Sequence, residues 1–165
     1  MRSKTAYFGM FTALALRFSY VESLIPISFG IPGVKLGLAN LVTVVILYRM
    51  GFREGFLLSV TRVVLAGFMF GNLFSIVYSL AGGLLSLCVM AFLKRTDKFS
   101  VIGVSVAGGV SHNIGQLLVA VVVLESLSIA NYLPVLVFSG LVTGFVIGIV
   151  SSELMKRLVK IEWQR

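Results

Sequence analysis

The chain has 165 residues, 58% hydrophobic and 12% charged, with a net charge of +8. No polar stretch is long enough for a soluble domain, which excludes an extramembrane catalytic unit and leaves one membrane domain over residues 1–165 with very short loops. All of the 14 basic residues except Arg17, Lys35 and Arg62 fall in clusters on one side of the apolar stretches, with no basic stripe interleaved with aromatics, so topology explains the charge and nucleic acid is not expected as a partner.

A helix needs roughly 20 residues, with about 17 tolerated, to cross a bilayer. On that basis the sequence predicts an all-α integral membrane protein of about six transmembrane helices, at Thr5–Tyr20, Leu36–Tyr48, Gly55–Phe70, Leu73–Leu93, Ser100–Leu124 and Tyr132–Met155. The start resembles a signal peptide, but its apolar run continues to Tyr20 without a small-residue cleavage site, so a retained first helix is expected. The second and third spans are short and call for a thinned bilayer, neighbours that cover their ends, or longer boundaries. Cys88 stands alone in the fourth span, so neither a disulfide nor a cysteine-based metal site can form within the chain, and no cofactor is expected.

The gaps differ in charge. Arg2 and Lys4 precede the first span, Arg49 and Arg53 separate the second from the third, Lys94, Arg95 and Lys98 follow the fourth, and Lys156, Arg157, Lys160 and Arg165 follow the sixth. The alternate gaps hold Glu22, Lys35, Asn72 and Glu125, with one basic residue among them. The positive-inside rule then places both termini in the cytoplasm of a multi-pass protein of the cell membrane.

Small residues predict how the helices pack. Gly140, Gly144 and Gly148 recur every four residues in the sixth span, and Gly103, Ala107, Ser111 and Gly115 do so in the fifth. Such seams let backbones approach closely where lipid supplies little hydrophobic drive, so both are expected to pack internally. The first span has a shorter version, Gly9 and Ala13, which either packs internally or docks another membrane subunit. No internal repeat points to an inverted-repeat transporter.

Polar side chains at membrane depth are candidates for function. Arg62 lies about 12 Å along its helix from Glu54 by the helical rise, too deep for easy snorkelling. It requires an anionic ligand, a carboxylate such as Glu22 or Glu125, or a ring of carbonyls. In the fifth span, His112 and Gln116 share a face at i, i+4, with Asn113 close to Gln116 at i, i+3, and together they favour a cavity. Asn72 with Tyr78, and Asn40 after Lys35, could line its outer side, although asparagine beside glycine also caps helices and fills turns. The stretch from Val21 to Lys35 carries Glu22, Pro26, Gly30, Pro32 and Gly33 among apolar residues. It reads either as a lid folded over a pocket or as an interfacial turn.

Several segments carry a resemblance: Tyr20-Val-Glu-Ser-Leu-Ile-Pro, Pro32-Gly-Val-Lys-Leu-Gly-Leu-Ala-Asn40, Phe70-Gly-Asn-Leu-Phe-Ser, Tyr78-Ser-Leu-Ala-Gly-Gly83 and Val106-Ala-Gly-Gly-Val-Ser-His-Asn-Ile-Gly-Gln116. Over almost its whole length the chain resembles the Gx transporter family, also called heptaprenyl diphosphate synthase component I. That family is similar in layout to the substrate-binding S components of energy-coupling factor (ECF) transporters. The resemblance implies an S-component-like bundle that captures a small solute or a vitamin-like or lipid-like precursor from outside. A transmembrane coupling subunit and separate ATPases would drive its release. It implies a ligand pocket toward the outer side, where Glu22, Lys35, Asn40, Arg62, Asn72, Tyr78, His112, Asn113 and Gln116 are the candidate binding residues. It also implies docking of the coupling subunit on the first helix, where Gly9 and Ala13 stand as Gly-x-x-x-Ala in place of Ala-x-x-x-Ala.

The chain has no Gly-x-x-x-x-Gly-Lys-Ser/Thr loop for ATP phosphates, so a motor would lie elsewhere. Prenyl-chain elongation needs carboxylates to hold magnesium against a diphosphate, and the one aspartate here, Asp97, sits in a Lys-Arg-Thr-Asp-Lys loop. The chain is therefore not expected to be an enzyme. The alternative to solute capture is a non-catalytic accessory membrane protein for prenyl diphosphate, quinone or flavin-linked redox metabolism.

Overall fold

The computed structural model describes residues 2–24 and 37–158. Among them the fold is helical, with no strand: α1 Arg2–Leu24, α2 Leu38–Arg49, α3 Phe52–Phe70, α4 Leu73–Arg95, α5 Val101–Val123 and α6 Leu133–Leu158, with a 3-10 turn at Leu127–Tyr132 leading into α6. Three helical segments are long and apolar enough to cross a membrane: Leu73–Arg95, Val101–Val123 and Leu127–Leu158. Their outer surfaces are apolar, with Phe92, Val122, Leu127 and Phe138 each at least 67% exposed. Such a surface suits lipid, because the backbone polar groups are satisfied within each helix.

Local chemistry sets the helix ends. Asn72 Oδ1 accepts the Ser75 backbone N–H at 2.8 Å and caps α4, while Ser100 Oγ accepts that of Gly103 at 3.2 Å and caps α5. Between α2 and α3 the chain turns through Gly51 at φ +116°, a conformation that suits glycine. At the start of α2, Gly37 has φ +72° and no side-chain cap of its own.

Some helix boundaries differ from those expected. The first helix runs on past Tyr20 to Leu24, so Glu22 is helical and not part of a loop. The third begins at Phe52 and takes in Arg53 and Glu54, which makes it 19 residues long. The second is short, 12 residues, and seven of these are buried, with Val42 through Leu47 forming an unbroken buried run. A run of six covers every side of a helix with 3.6 residues per turn, so α2 is wrapped by its neighbours and need not match the length of an outward-facing helix.

Two apolar clusters meet at α2. Phe11 and Ala15 of α1 pack with Val42, Val45 and Ile46 of α2 and Leu58 of α3 on one side. Val44 and Leu47 pack with Leu87 and Met90 of α4, Val104 of α5 and Ile147 of α6 on the other. At one end of the bundle, basic residues tie helix ends together. Arg49 Nη2 donates to the Met155 carbonyl, and Lys94 Nζ donates to the Leu47 carbonyl at 2.7 Å while lying 4.9 Å from the centre of the Tyr48 ring. Arg49 and Lys94 thus bind the last turns of α2, α4 and α6 to one another, using carbonyls that a helix C-terminus leaves unpaired.

The glycine seam of α6 packs as expected. A Cβ on Gly140 would lie 2.8 Å from the Gly109 carbonyl oxygen, one on Gly144 2.7 Å from Val106 Cα, and one on Gly148 2.8 Å from Ile102 Cα. The four-residue stripe expected in α5 is not one seam. The face of α5 against α6 runs through Ile102, Ser105, Val106 and Gly109, whereas Gly115 turns to α4, where a Cβ would come 2.9 Å from the Ala81 carbonyl oxygen. Gly103 meets only Phe99 and Ser100 of its own segment, no closer than 3.7 Å. With two partners on different sides, α5 needs small residues on two faces, and a single periodic stripe cannot serve both.

Candidate functional site

A cavity of about 150 Å³ lies among the helices, away from the end that Arg49 and Lys94 tie together. The last turns of α1, the first turns of α2, the second half of α3, α4 from Ser75 to Met90 and the middle of α5 and α6 form its wall. Six of the sequence candidates line it: Glu22, Asn40, Arg62, His112, Asn113 and Gln116. The three-residue polar group of α5 therefore does face the same space as Arg62.

Each of these side chains is held differently. Glu22 Oε1 accepts the Leu38 backbone N–H at 2.8 Å, so a carboxylate from α1 closes the N-terminus of α2 that Gly37 leaves uncapped. Asn113 is buried and donates through Nδ2 to the Leu136 carbonyl at 2.7 Å, a cross-link between α5 and α6. Ser105 Oγ makes a second such link to the Gly144 carbonyl at 2.8 Å. Gln116 is only 2% exposed, and its Nε2 has no hydrogen-bond partner. Gly82 of α4 gives both α5 groups their room, since a Cβ there would come 2.7 Å from Gln116 Cγ and 3.1 Å from His112 Nε2.

Arg62 is 8% exposed on α3. Its Nη1 donates to Ser19 Oγ across 3.3 Å, and its Nε is buried with no acceptor. Neither Glu22 nor Glu125 forms a salt bridge with it, since no carboxylate among the described residues lies within 4.0 Å of Arg62, but Glu22 is near enough across the cavity to act on its charge. Glu125 is exposed in the turn after α5, at φ +48°.

Other candidates lie elsewhere. Asn72 does not line the cavity and acts as the α4 cap. Tyr78 does not line it either, and its ring stacks on Phe74 with centroids 5.6 Å apart. Arg17 is exposed and apart from the cavity, so it does not converge with Arg62. Lys35, together with Pro26, Gly30, Pro32 and Gly33 of the expected lid, lies outside the described residues. Gly9 and Ala13 are exposed on α1, and a Cβ on Gly9 would meet nothing within 4 Å.

The cavity also holds small hydroxyls that sequence reasoning missed, among them Ser19, Ser79, Ser86, Ser105 and Thr143. Little could have revealed them. A serine or threonine in a helix can satisfy itself on the carbonyl of the preceding turn, as Thr143 does on Ser139 at 2.9 Å, so its presence in an apolar helix carries no signal of a pocket.

The arrangement offers a guanidinium, an amide N–H and several hydroxyls around a small, partly open space, which equips it to hold a polar molecule by hydrogen bonds. No curated protein and no solved structure matches the chain significantly. A family model described as heptaprenyl diphosphate synthase component I matches residues 11–154, from α1 into α6, including every cavity residue named above. The chain therefore belongs to the heptaprenyl diphosphate synthase component I family.

Proposed function

We propose that the chain is a multi-pass protein of the cell membrane that captures a small solute from the outer side, as the substrate-binding subunit of an ECF-type importer. The observation that carries this reading is the buried polar cavity, in which Arg62 and Gln116 present donors without acceptors. Such groups are costly to bury unless something occupies them.

Further features support it. The cavity lies away from the end where Arg49 and Lys94 bind helix termini, and the positive-inside rule assigns that basic end to the cytoplasm together with both chain termini. A solute held there is nearer the outside. Gly9 and Ala13 leave a smooth, uncovered strip on α1, which suits close approach by a second membrane helix of a coupling subunit served by separate ATPases. The chain itself performs no catalysis in this account. Its one aspartate, Asp97, occupies an exposed turn at φ +52°, and magnesium-dependent diphosphate chemistry requires a cluster of carboxylates.

The family description favours a second reading, in which the chain is a non-catalytic membrane partner of a prenyl diphosphate, quinone or flavin-linked redox enzyme. Purification from the native membrane, followed by identification of what accompanies the chain, separates the two. An ATPase-linked membrane subunit supports solute import, and a prenyl-lipid or redox enzyme in its place supports the accessory role.

A further inference from the structure

We propose that the molecule held in this cavity carries a single oxyanion group, a carboxylate or a phosphate monoester, that docks on the guanidinium of Arg62. The proposal rests on the solute-capture reading of the same cavity and names the chemical class of the solute.

Donors and acceptors around Arg62 do not balance. A guanidinium has five N–H donors in a planar fork and no acceptor capacity. Among the described residues Arg62 uses one of them, on Ser19 Oγ at 3.3 Å, beyond the usual range for a strong hydrogen bond, and its buried Nε has no acceptor. No carboxylate among the described residues reaches it within 4.0 Å. A side chain at 8% exposure cannot recover that loss from bulk water. Glu22 acts on this charge from across the cavity without reaching it, so the missing element is a direct acceptor, and the planar fork suits an anion with two oxygens in a row.

The rest of the wall narrows the class. Gln116 Nε2 is a second buried donor without an acceptor, so the ligand presents another oxygen there, a carbonyl or hydroxyl, besides the group on Arg62. Glu22 contributes a negative charge to the same wall, which opposes a polyanion such as a diphosphate more strongly than a single carboxylate or phosphate monoester. At about 150 Å³ the cavity falls below the roughly 300 Å³ at which drug-sized ligands begin to fit, so the solute is compact and no long prenyl chain is enclosed.

The test uses the full chain purified in mild detergent. The small molecules that it releases on denaturation are identified, and the folded protein is heated with and without sodium acetate or inorganic phosphate as minimal headgroup probes. Wild type, Arg62→Lys and Gln116→Glu are compared. The lysine keeps the charge but loses the fork, and the glutamate adds a negative charge to the cavity. The expected result is a compact released solute with one oxyanion, carried about tenfold less by each folded variant. Acetate protecting wild type from unfolding identifies a carboxylate, and phosphate protecting it identifies a phosphate monoester. A released solute without an oxyanion overturns the assignment while leaving solute capture in place, as does wild-type loading in both folded variants. A protein that releases no small molecule and gains no protection from either probe overturns both readings. The identity of the wild-type solute decides the matter even if a variant does not fold.

Discussion

Glu22 on α1 accepts the backbone N–H of Leu38, sixteen residues later, through Oε1 at 2.8 Å, and so ties the end of one helix to the start of the next. The link crosses the segment at 25–36 and stands beside Gly37, whose φ of +72° leaves α2 without a cap of its own. A carboxylate at that place answers both an unpaired N–H and the positive end of the helix dipole. Replacing Glu22 by alanine should lower stability by about 1–2 kcal/mol, and replacing it by glutamine, which keeps an acceptor, by less than half of that. Thermal unfolding in detergent measures both; equal losses would show that the hydrogen bond plays no part.

Arg62→Ala should weaken solute binding about tenfold or more while leaving the fold intact, because it removes a buried guanidinium that no carboxylate among the described residues meets in a salt bridge. His112→Ala should weaken it less, by about fivefold. Affinity measured on the folded fraction is the relevant reading. Loss of fold with unchanged affinity in that fraction would reassign both residues to structure.

The contact between α5 and α6 permits a paired comparison. Gly144→Ala places a methyl group 2.7 Å from Val106 Cα, against backbone that cannot move aside, and should cost about 1–3 kcal/mol. Gly103→Ala, whose new Cβ would find only ordinary contacts at 3.7 Å or more, should be neutral or slightly stabilising through the better helix propensity of alanine. Unfolding midpoints that rank these two variants the other way would contradict the assignment of the packing faces.

The exposed strip of α1 is predicted to be a docking face and not a packing face. Joint replacement of Gly9 and Ala13 by leucine should leave unfolding temperature and solute content unchanged, since a Cβ on Gly9 meets nothing within 4 Å. The same variant should fail to co-purify a membrane coupling subunit. An unaltered complex would discard the docking claim.

Much of this was legible in the sequence, for identifiable reasons. Apolar stretches broken by basic gaps gave the number and order of the helices, because basic residues mark the last turns of α2, α4 and α6. The grouping of His112, Asn113 and Gln116 pointed to the cavity, because three polar side chains on one apolar helix are costly unless they face a polar space. What stayed hidden depended on contacts between distant segments. The choice between cap and cavity for Asn72 rests on one hydrogen bond from Ser75, and the role of Glu22 on one from Leu38. The exposure of Arg17 and the burial of Arg62, two arginines in apolar helices, follow from which face each helix turns inward. Nor could periodicity show that α5 serves two partners through different faces, since Gly109 and Gly115 are read from the same stretch yet meet α6 and α4 respectively.

A cavity that exists to hold a solute should be occupied in the gently purified chain, and native mass spectrometry reads that occupancy. The account predicts a mass increment of one small molecule per chain, present in wild type and depleted in Arg62→Ala. A chain observed at its bare mass under conditions that keep it folded, in wild type and variant alike, would contradict it.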